Sequence, residues 1–198
     1  MNIEVTVKKF PEIETSRLIL KEIIETDDKD IFEIFSDDEA MKYYDIEPLK
    51  DLEEAKQLIQ QLNRRFKNKK GIRWGIHLKD NYKLIGSCGY HSHNKQSFRA
   101  EIGYELSKEY WGQGLMQEAL QSIIDFGINN LALNRIQALV EPKNIKSINL
   151  LQKIGFNEEG TLYEYEFYKG EFKDLAMLSL LKVDYHKTFK KVCEISIR

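Results

Sequence analysis

The stretch AEIGYELSKEYWGQGLMQEAL, residues 100–120, carries the reading of the chain. Its first half alternates apolar and polar residues, the period of a strand. Its second half sets Met116, Ala119 and Leu120 at helical spacing, and that stripe continues through Ile123, Ile124, Gly127, Ile128 and Leu131. Between the two stand Gly112 and Gly114 around one glutamine, Gln113. Strand, glycine turn, helix is the layout that cradles a phosphate. Free N–H groups at the helix N-terminus face the anion, and the helix dipole favours negative charge. An ordinary tight turn is the plain alternative. Two common phosphate spacings do not apply. G-x-x-x-x-G-K-[ST] is absent, and G-x-G-x-x-G fails because Gln117 occupies the third glycine position. The strands before the turn also read as antiparallel, which disfavours a dinucleotide-binding oxidoreductase.

Working upstream, RLILKEII (17–24) reads as a strand, DKDIFEIF (28–35) as a helix, and DLEEAKQLIQQLNRRF (51–66) as a firmer helix. In the last, Leu52, Ala55, Leu58, Ile59, Leu62 and Phe66 share one face, with acids at its start and bases at its end. IRWGIHLK (72–79), KLIGSCGYHS (83–92) and FRAEIGYEL (98–106) read as three strands joined by short hairpin connections. Downstream come a strand at RIQALVE (135–141) and a short helix at NIKSINLLQKIGF (144–156) closed by Gly155. Two further strands cross the turn YKGE. No repeat or linker interrupts this order, so the 198 residues read as a single α+β domain, 1–198, with the tail 186–198 unassigned.

Three blocks in this order resemble the GNAT N-acetyltransferase superfamily, and within it the RimJ/RimL-like branch. ETSRLIL resembles the opening strand, AEIGYELSKEYWGQGLMQEAL the acetyl-CoA motif written Q/R-x-x-G-x-G/A, and VEPKNIKSINLLQKIGFNEEG the strand and helix that follow. The similarity spans roughly residues 14–184. It implies the GNAT fold, a mixed, mostly antiparallel central sheet flanked by helices. It also implies transfer of acetyl from acetyl-CoA to a primary amine, by direct attack in a ternary complex. The acceptor would be a small-molecule amine, such as a polyamine, or a protein N-terminus. A non-catalytic acyl-CoA-binding or sensing domain on the same fold is the alternative.

Site residues follow from the same resemblance. Gly112, Gln113, Gly114, Leu115 and Met116 are implied to bind the pyrophosphate through backbone N–H groups. Tyr104, Glu105, Leu106 and Ser107 are implied to pair their backbone with the pantetheine arm, and Asn144 to hold it. Ser147 is implied to stand near the sulfur. Glu101 is the candidate base, since a lysine-like amine near pKa ~10.4 needs its proton removed; its plainer reading is a place on a solvated face or in a salt bridge, with Arg99 close by. Asn144 also fits a helix N-cap. Trp111 and Met116 depart from the motif, which has Gln or Arg and Gly or Ala at those positions. The tyrosine acid common four residues before the Gly-Phe pair is replaced by Leu151. The acidic, aromatic stretch SDDEAMKYYDIEP (36–48) is implied to wall the acceptor cleft, where Asp37, Asp38 and Asp45 would attract a cation and Tyr43 and Tyr44 pack its carbons.

Composition limits the rest. A net charge of −2 gives no reason to expect nucleic acid or a membrane surface, and no apolar run reaches the ~18 residues of a spanning helix. The basic run RRFKNKKG (64–71) reads as a solvated helix end. His91 and His93 alternate onto one face as a metal pair would, but no third ligand is evident, so no metal is expected. Cys88 and Cys193 lie far apart, the former in an apolar stretch as a core residue. A reduced, cytoplasmic protein, monomer or homodimer, is the expectation.

Overall fold

The computed structural model describes residues 9–187. Eight strands form a sheet in the order β1-β2-β3-β4-β5-β6-β8-β7. They are β1 (Ile13–Glu14), β2 (Leu18–Glu22), β3 (Ile72–Leu78), β4 (Leu84–Asn94), β5 (Arg99–Leu106), β6 (Arg135–Val140), β7 (Asn157–Tyr168) and β8 (Glu171–Leu181). Every neighbouring pair is antiparallel except β5 and β6. Among the described residues the sheet is accompanied by the helices α1 (Asp28–Phe35), α2 (Leu52–Lys67), α3 (Leu115–Asn129) and α4 (Ile145–Ile154), and residues 182–187 are also helical. The elements expected from periodicity are all present, and the short β1 is an addition.

Local chemistry accounts for the helix ends. Asp51 caps α2 by accepting from the Glu54 amide at 3.0 Å. Gly155 ends α4 at φ 109°, a left-handed conformation that costs a side chain-bearing residue energy. The larger core joins α3 and α4 to the sheet through Leu120, Ile123, Ile124, Leu151 and Ile154 against Trp74, Ile102, Ile136 and Leu178. A second cluster seats α1 and α2 on Ile23 and Leu84. Cys88 is fully buried, and that burial raises its thiol to about 12, so it packs as a small apolar residue. Cys193 lies outside the described residues.

One break in the sheet positions the site. β5 and β6 pair only over Arg99–Glu101 with Arg135–Gln137. Yet β5 runs on to Leu106 and β6 to Val140, so the two strands part beyond Glu101. Along β5, Ser107 donates to the Ile85 carbonyl at 2.8 Å. Alternation therefore turns the backbone groups of Gly103, Glu105 and Ser107 toward β4, and those of Ile102, Tyr104 and Leu106 toward the gap.

Candidate active site

A cavity of about 1340 Å³ occupies that gap. Glu101 and Gly103 line it, and so do Ile102, Tyr104 and Leu106. Successive β5 side chains point to opposite faces, so the cavity passes through the sheet where the strands part. Gly112, Gly114, Leu115, Met116, Asn144 and Ser147 line the same space, as do Tyr43, Tyr44 and Asp45 from the segment after α1.

The α3 end combines an open glycine turn with a helix N-terminus that no side chain caps. Gly112 and Gly114 have φ of 75° and 73°, values that favour glycine. A Cβ on Gly112 would meet nothing within 4 Å, and one on Gly114 only the Arg17 guanidinium at 3.7 Å. Gly114 is the N-cap, and no side chain caps α3. The amides of its first turn thus have no partner within the helix. Met116 is buried in the core at 7% exposure, so its side chain leaves the turn and its amide is not blocked by its size. Trp111 donates its indole N–H to the Leu106 carbonyl at 2.8 Å and carries the Lys146 ammonium 4.4 Å from its ring centre. This satisfies one strand-end carbonyl and places a cation beside the turn.

Glu118, in the first turn of α3, fixes the turn to β2. Its carboxylate accepts from Thr15 Oγ1 (2.6 Å), Ser16 Oγ (2.9 Å), the Arg17 amide (2.8 Å) and Arg17 Nε (2.7 Å). Burial would raise its pKa, but these donors bring it down to about 2. Arg17 also donates to the Gln113 carbonyl at 3.0 Å. Sequence reasoning missed this anchor, because its donors and acceptor lie about a hundred residues apart.

On the α4 side, Asn144 accepts from the Ser147 amide at 3.2 Å, the N-cap expected of it. Its side-chain N–H groups remain available to a ligand. Ser147 Oγ lies 2.6 Å from the Tyr104 hydroxyl. Burial holds that phenol up at about 12, only partly offset by the bond to Ser147, so it stays protonated near neutrality. Leu151 is buried in the core and carries no acid. The Tyr104 hydroxyl instead reaches Ser147 from β5, a role its place in the strand pattern did not disclose.

Glu101 stands at the last paired position before the strands part. It accepts from His91 Nε2 at 2.8 Å and Gln137 Nε2 at 3.1 Å. Burial would raise this carboxyl, but those two bonds and the charges of His91 and Arg99 hold it below its ordinary value. Glu105 and Ser107 do not line the cavity, and their backbone faces β4. The Glu105 carboxylate is buried and bonded to Arg73 and Ser87. Pairing with a bound arm therefore narrows from four consecutive residues to Tyr104 and the Leu106 amide.

The segment after α1 does reach the cleft. Tyr43 donates to the Lys143 carbonyl at 3.3 Å, Arg73 donates to the Tyr44 hydroxyl at 2.9 Å, and Lys169 donates to the Met41 carbonyl at 2.7 Å. Asp37 and Asp38 do not line the cavity. The Asp37 carboxylate accepts from the Ala40 amide and closes its own turn. The acidic lining comes from Glu39 and Asp45 of that segment, from Glu101 and, unforeseen, from Glu141 after β6 and Glu166 on β7. Burial raises the Glu166 carboxyl, and the charges of Glu101 and Asp45 raise it further. His91 and His93 do not share a face as simple alternation implies. Ser92 takes φ 52° and the β4–β5 register shifts between His91 and Asn94, leaving His91 on the cavity and His93 off it. Among the described residues no group of three side chains could hold a metal ion, and no helix is long and apolar enough to cross a membrane.

Comparison with known proteins agrees with this geometry. The family described as an acetyltransferase (GNAT) domain matches residues 17–157. The uncharacterized N-acetyltransferase YoaA of Bacillus subtilis is 40% identical over 173 residues, covering 87% of this chain and 98% of its own. The ribosomal-protein-S5-alanine acetyltransferase of Vibrio fischeri superposes with a TM-score of 0.74 at 26% identity, over 88% of this chain and 98% of its own. Spermidine N-acetyltransferase from Vibrio cholerae, solved with CoA and spermine, has the same fold, with a TM-score of 0.75 at 24% identity over 86% and 99% of the two chains. An uncapped helix N-terminus behind an open glycine turn, and a parted strand pair beside it, suit the pyrophosphate and the arm of acetyl-CoA. The chain belongs to the GNAT acetyltransferase family and is an acetyl-CoA-dependent N-acetyltransferase of the branch that includes the ribosomal-protein enzymes.

Proposed function

We propose that the chain acetylates a primary amine bearing further positive charge, such as a polyamine or a basic protein N-terminus. The observation that carries this is the continuity of the cavity. It runs from the α3 turn, through the parted strands, to an end lined by Asp45, Glu101 and Glu166. Arg73, the sheet cation that lines the cavity, has its charge matched by Glu105, and Lys42, Arg65 and Lys143 line the cavity from other segments. The charges of Glu101 and Asp45 raise the proton affinity of Glu166, and the same charges favour a cation among the three carboxylates. A spermidine acetyltransferase and a ribosomal-protein acetyltransferase among the solved neighbours are in keeping with both acceptor types.

Bound acetyl-CoA supplies the thioester acetyl group. The amides of Gln113–Met116 and the Arg17 and Lys146 cations would hold its phosphates. Tyr104, the Leu106 amide and the Asn144 side chain would hold its arm. Ser147 and Tyr104 present a hydroxyl pair that can protonate the departing sulfur. Glu101 marks where the amine loses its proton. Much of the rate then comes from holding the two reactants together. Thiol release, followed across spermidine, a basic peptide with a free N-terminus, a neutral amine and an amino acid, tests the reading. The two cationic acceptors should give the highest kcat/KM, falling with added salt. Preference for a neutral or anionic acceptor overturns the charge assignment. No thiol release with any amine overturns acetyl transfer.

A further inference from the structure

Both Glu101 oxygens are engaged, by His91 and Gln137, and its carboxyl is held below the usual range. A carboxylate in that state holds a proton weakly and matches poorly the task of taking one from an amine. The ring beside it is better placed. His91 lies directly opposite Glu101 in the β4–β5 register and lines the cavity. An ionised carboxylate only accepts, so the bond to Glu101 puts the ring hydrogen on Nε2 and the lone pair on Nδ1. Nδ1 has no hydrogen-bond partner among the described residues and is not sealed from solvent. Gly103 makes room for this arrangement. A Cβ there would stand 3.2 Å from His91 Cε1 and 3.1 Å from Arg73 Nη1. The bulge at Ser92 ends regular pairing just past His91, as bulges do where a side chain is re-aimed.

We propose that His91, through Nδ1, is the catalytic base that deprotonates the acceptor amine, and that Glu101 is a positioning residue that fixes the ring and its tautomer. The proposal rests on the acetyl-transfer reading above. His91 Nδ1 takes one proton from the ammonium. The freed nitrogen pair forms the N–C bond to the acyl carbon, and the C–S bond breaks with its electrons on sulfur. The Ser147–Tyr104 pair gives sulfur a proton and regains one from the second N–H through water. His91 releases its proton to solvent, so the transfer yields one proton overall. The charged groups bearing on the ring from neighbouring elements are Glu101 on β5, Glu166 on β7 and Arg73 on β3.

The test compares His91→Gln, His91→Ala and Glu101→Gln in the full chain by kcat/KM against pH. Acetyl-CoA titration calorimetry and thermal melts serve as folding controls. H91Q keeps a donor toward Glu101 but has no titrating lone pair. It should lose about 10²-fold or more near neutral pH, together with the ascending limb of the profile. H91A should regain rate in proportion to added imidazole. E101Q should keep the limb but move it to lower pH, because the charge favouring the imidazolium is gone. H93Q, one bulge away and off the cavity, should match wild type. The proposal is overturned by H91Q within about threefold of wild type with its limb intact. It is equally overturned if E101Q abolishes the limb, or if imidazole fails to rescue a folded H91A. Absence of thiol release by wild type itself would instead sink the acetyl-transfer reading.

Discussion

Replacing Glu118 by Ala should destabilise the protein by about 2 kcal/mol near neutral pH, and the deficit should fade in acid. The carboxylate gathers four donors from Thr15, Ser16 and Arg17. A fall in pKa from 4.5 to about 2 corresponds to roughly 3 kcal/mol of preference for the charged form in the folded state. Arg17 is half exposed, so solvent screens its share and leaves about 2 kcal/mol. The sign follows from the direction of the shift. Because the folded-state pKa is the lower one, the stabilisation is fully present above about 4.5 and is lost as pH falls toward 2; near pH 3 roughly half remains. Urea denaturation of both proteins at about pH 7 and about pH 3 measures this directly. The same anchor holds Arg17 against the Gln113 carbonyl, so acetyl-CoA affinity should also drop in a variant that remains folded. A stability gap equal at the two pH values, or one below about 0.5 kcal/mol, would refute the reasoning.

Two further outcomes are expected. Gly114→Val places a β-branched residue at φ 73°, at a cost of about 1–2 kcal/mol or more, and crowds the turn; acetyl-CoA affinity by calorimetry should fall at least about tenfold while the fold persists, and unchanged affinity would remove the phosphate cradle. Asp45→Asn with Glu166→Gln removes two carboxylates from the acceptor end, so KM for spermidine should rise about tenfold with little change for a neutral amine, and the salt dependence of KM should flatten.

Periodicity and turn chemistry alone determined the elements of this protein. The apolar stripe of α3, the alternation of β3 to β5 and the glycine ends of α3 and α4 are local signals, each set by residues a few positions apart. The glycine turn and the helix start behind it were legible for the same reason. The capping role of Asn144 was legible too, because its partner is three residues away. Tertiary structure decided the rest. The parting of β5 from β6 depends on pairing between strands far apart in sequence, and that pairing selects which β5 backbone groups remain free. Glu118 with Thr15–Arg17 and Tyr104 with Ser147 are contacts across long loops, and Glu166 feels the charge of Asp45 from far along the chain; all are invisible to any window of sequence. The same holds for the acidic segment. Its composition announced carboxylates near the cleft, but one turn consumed Asp37 and left Asp45 on the cavity. At Glu101 the residue type suggested a base. Only the cross-strand register showed that His91 and Gln137 occupy its oxygens, because a hydrogen bond between strands is a property of their alignment and not of either strand.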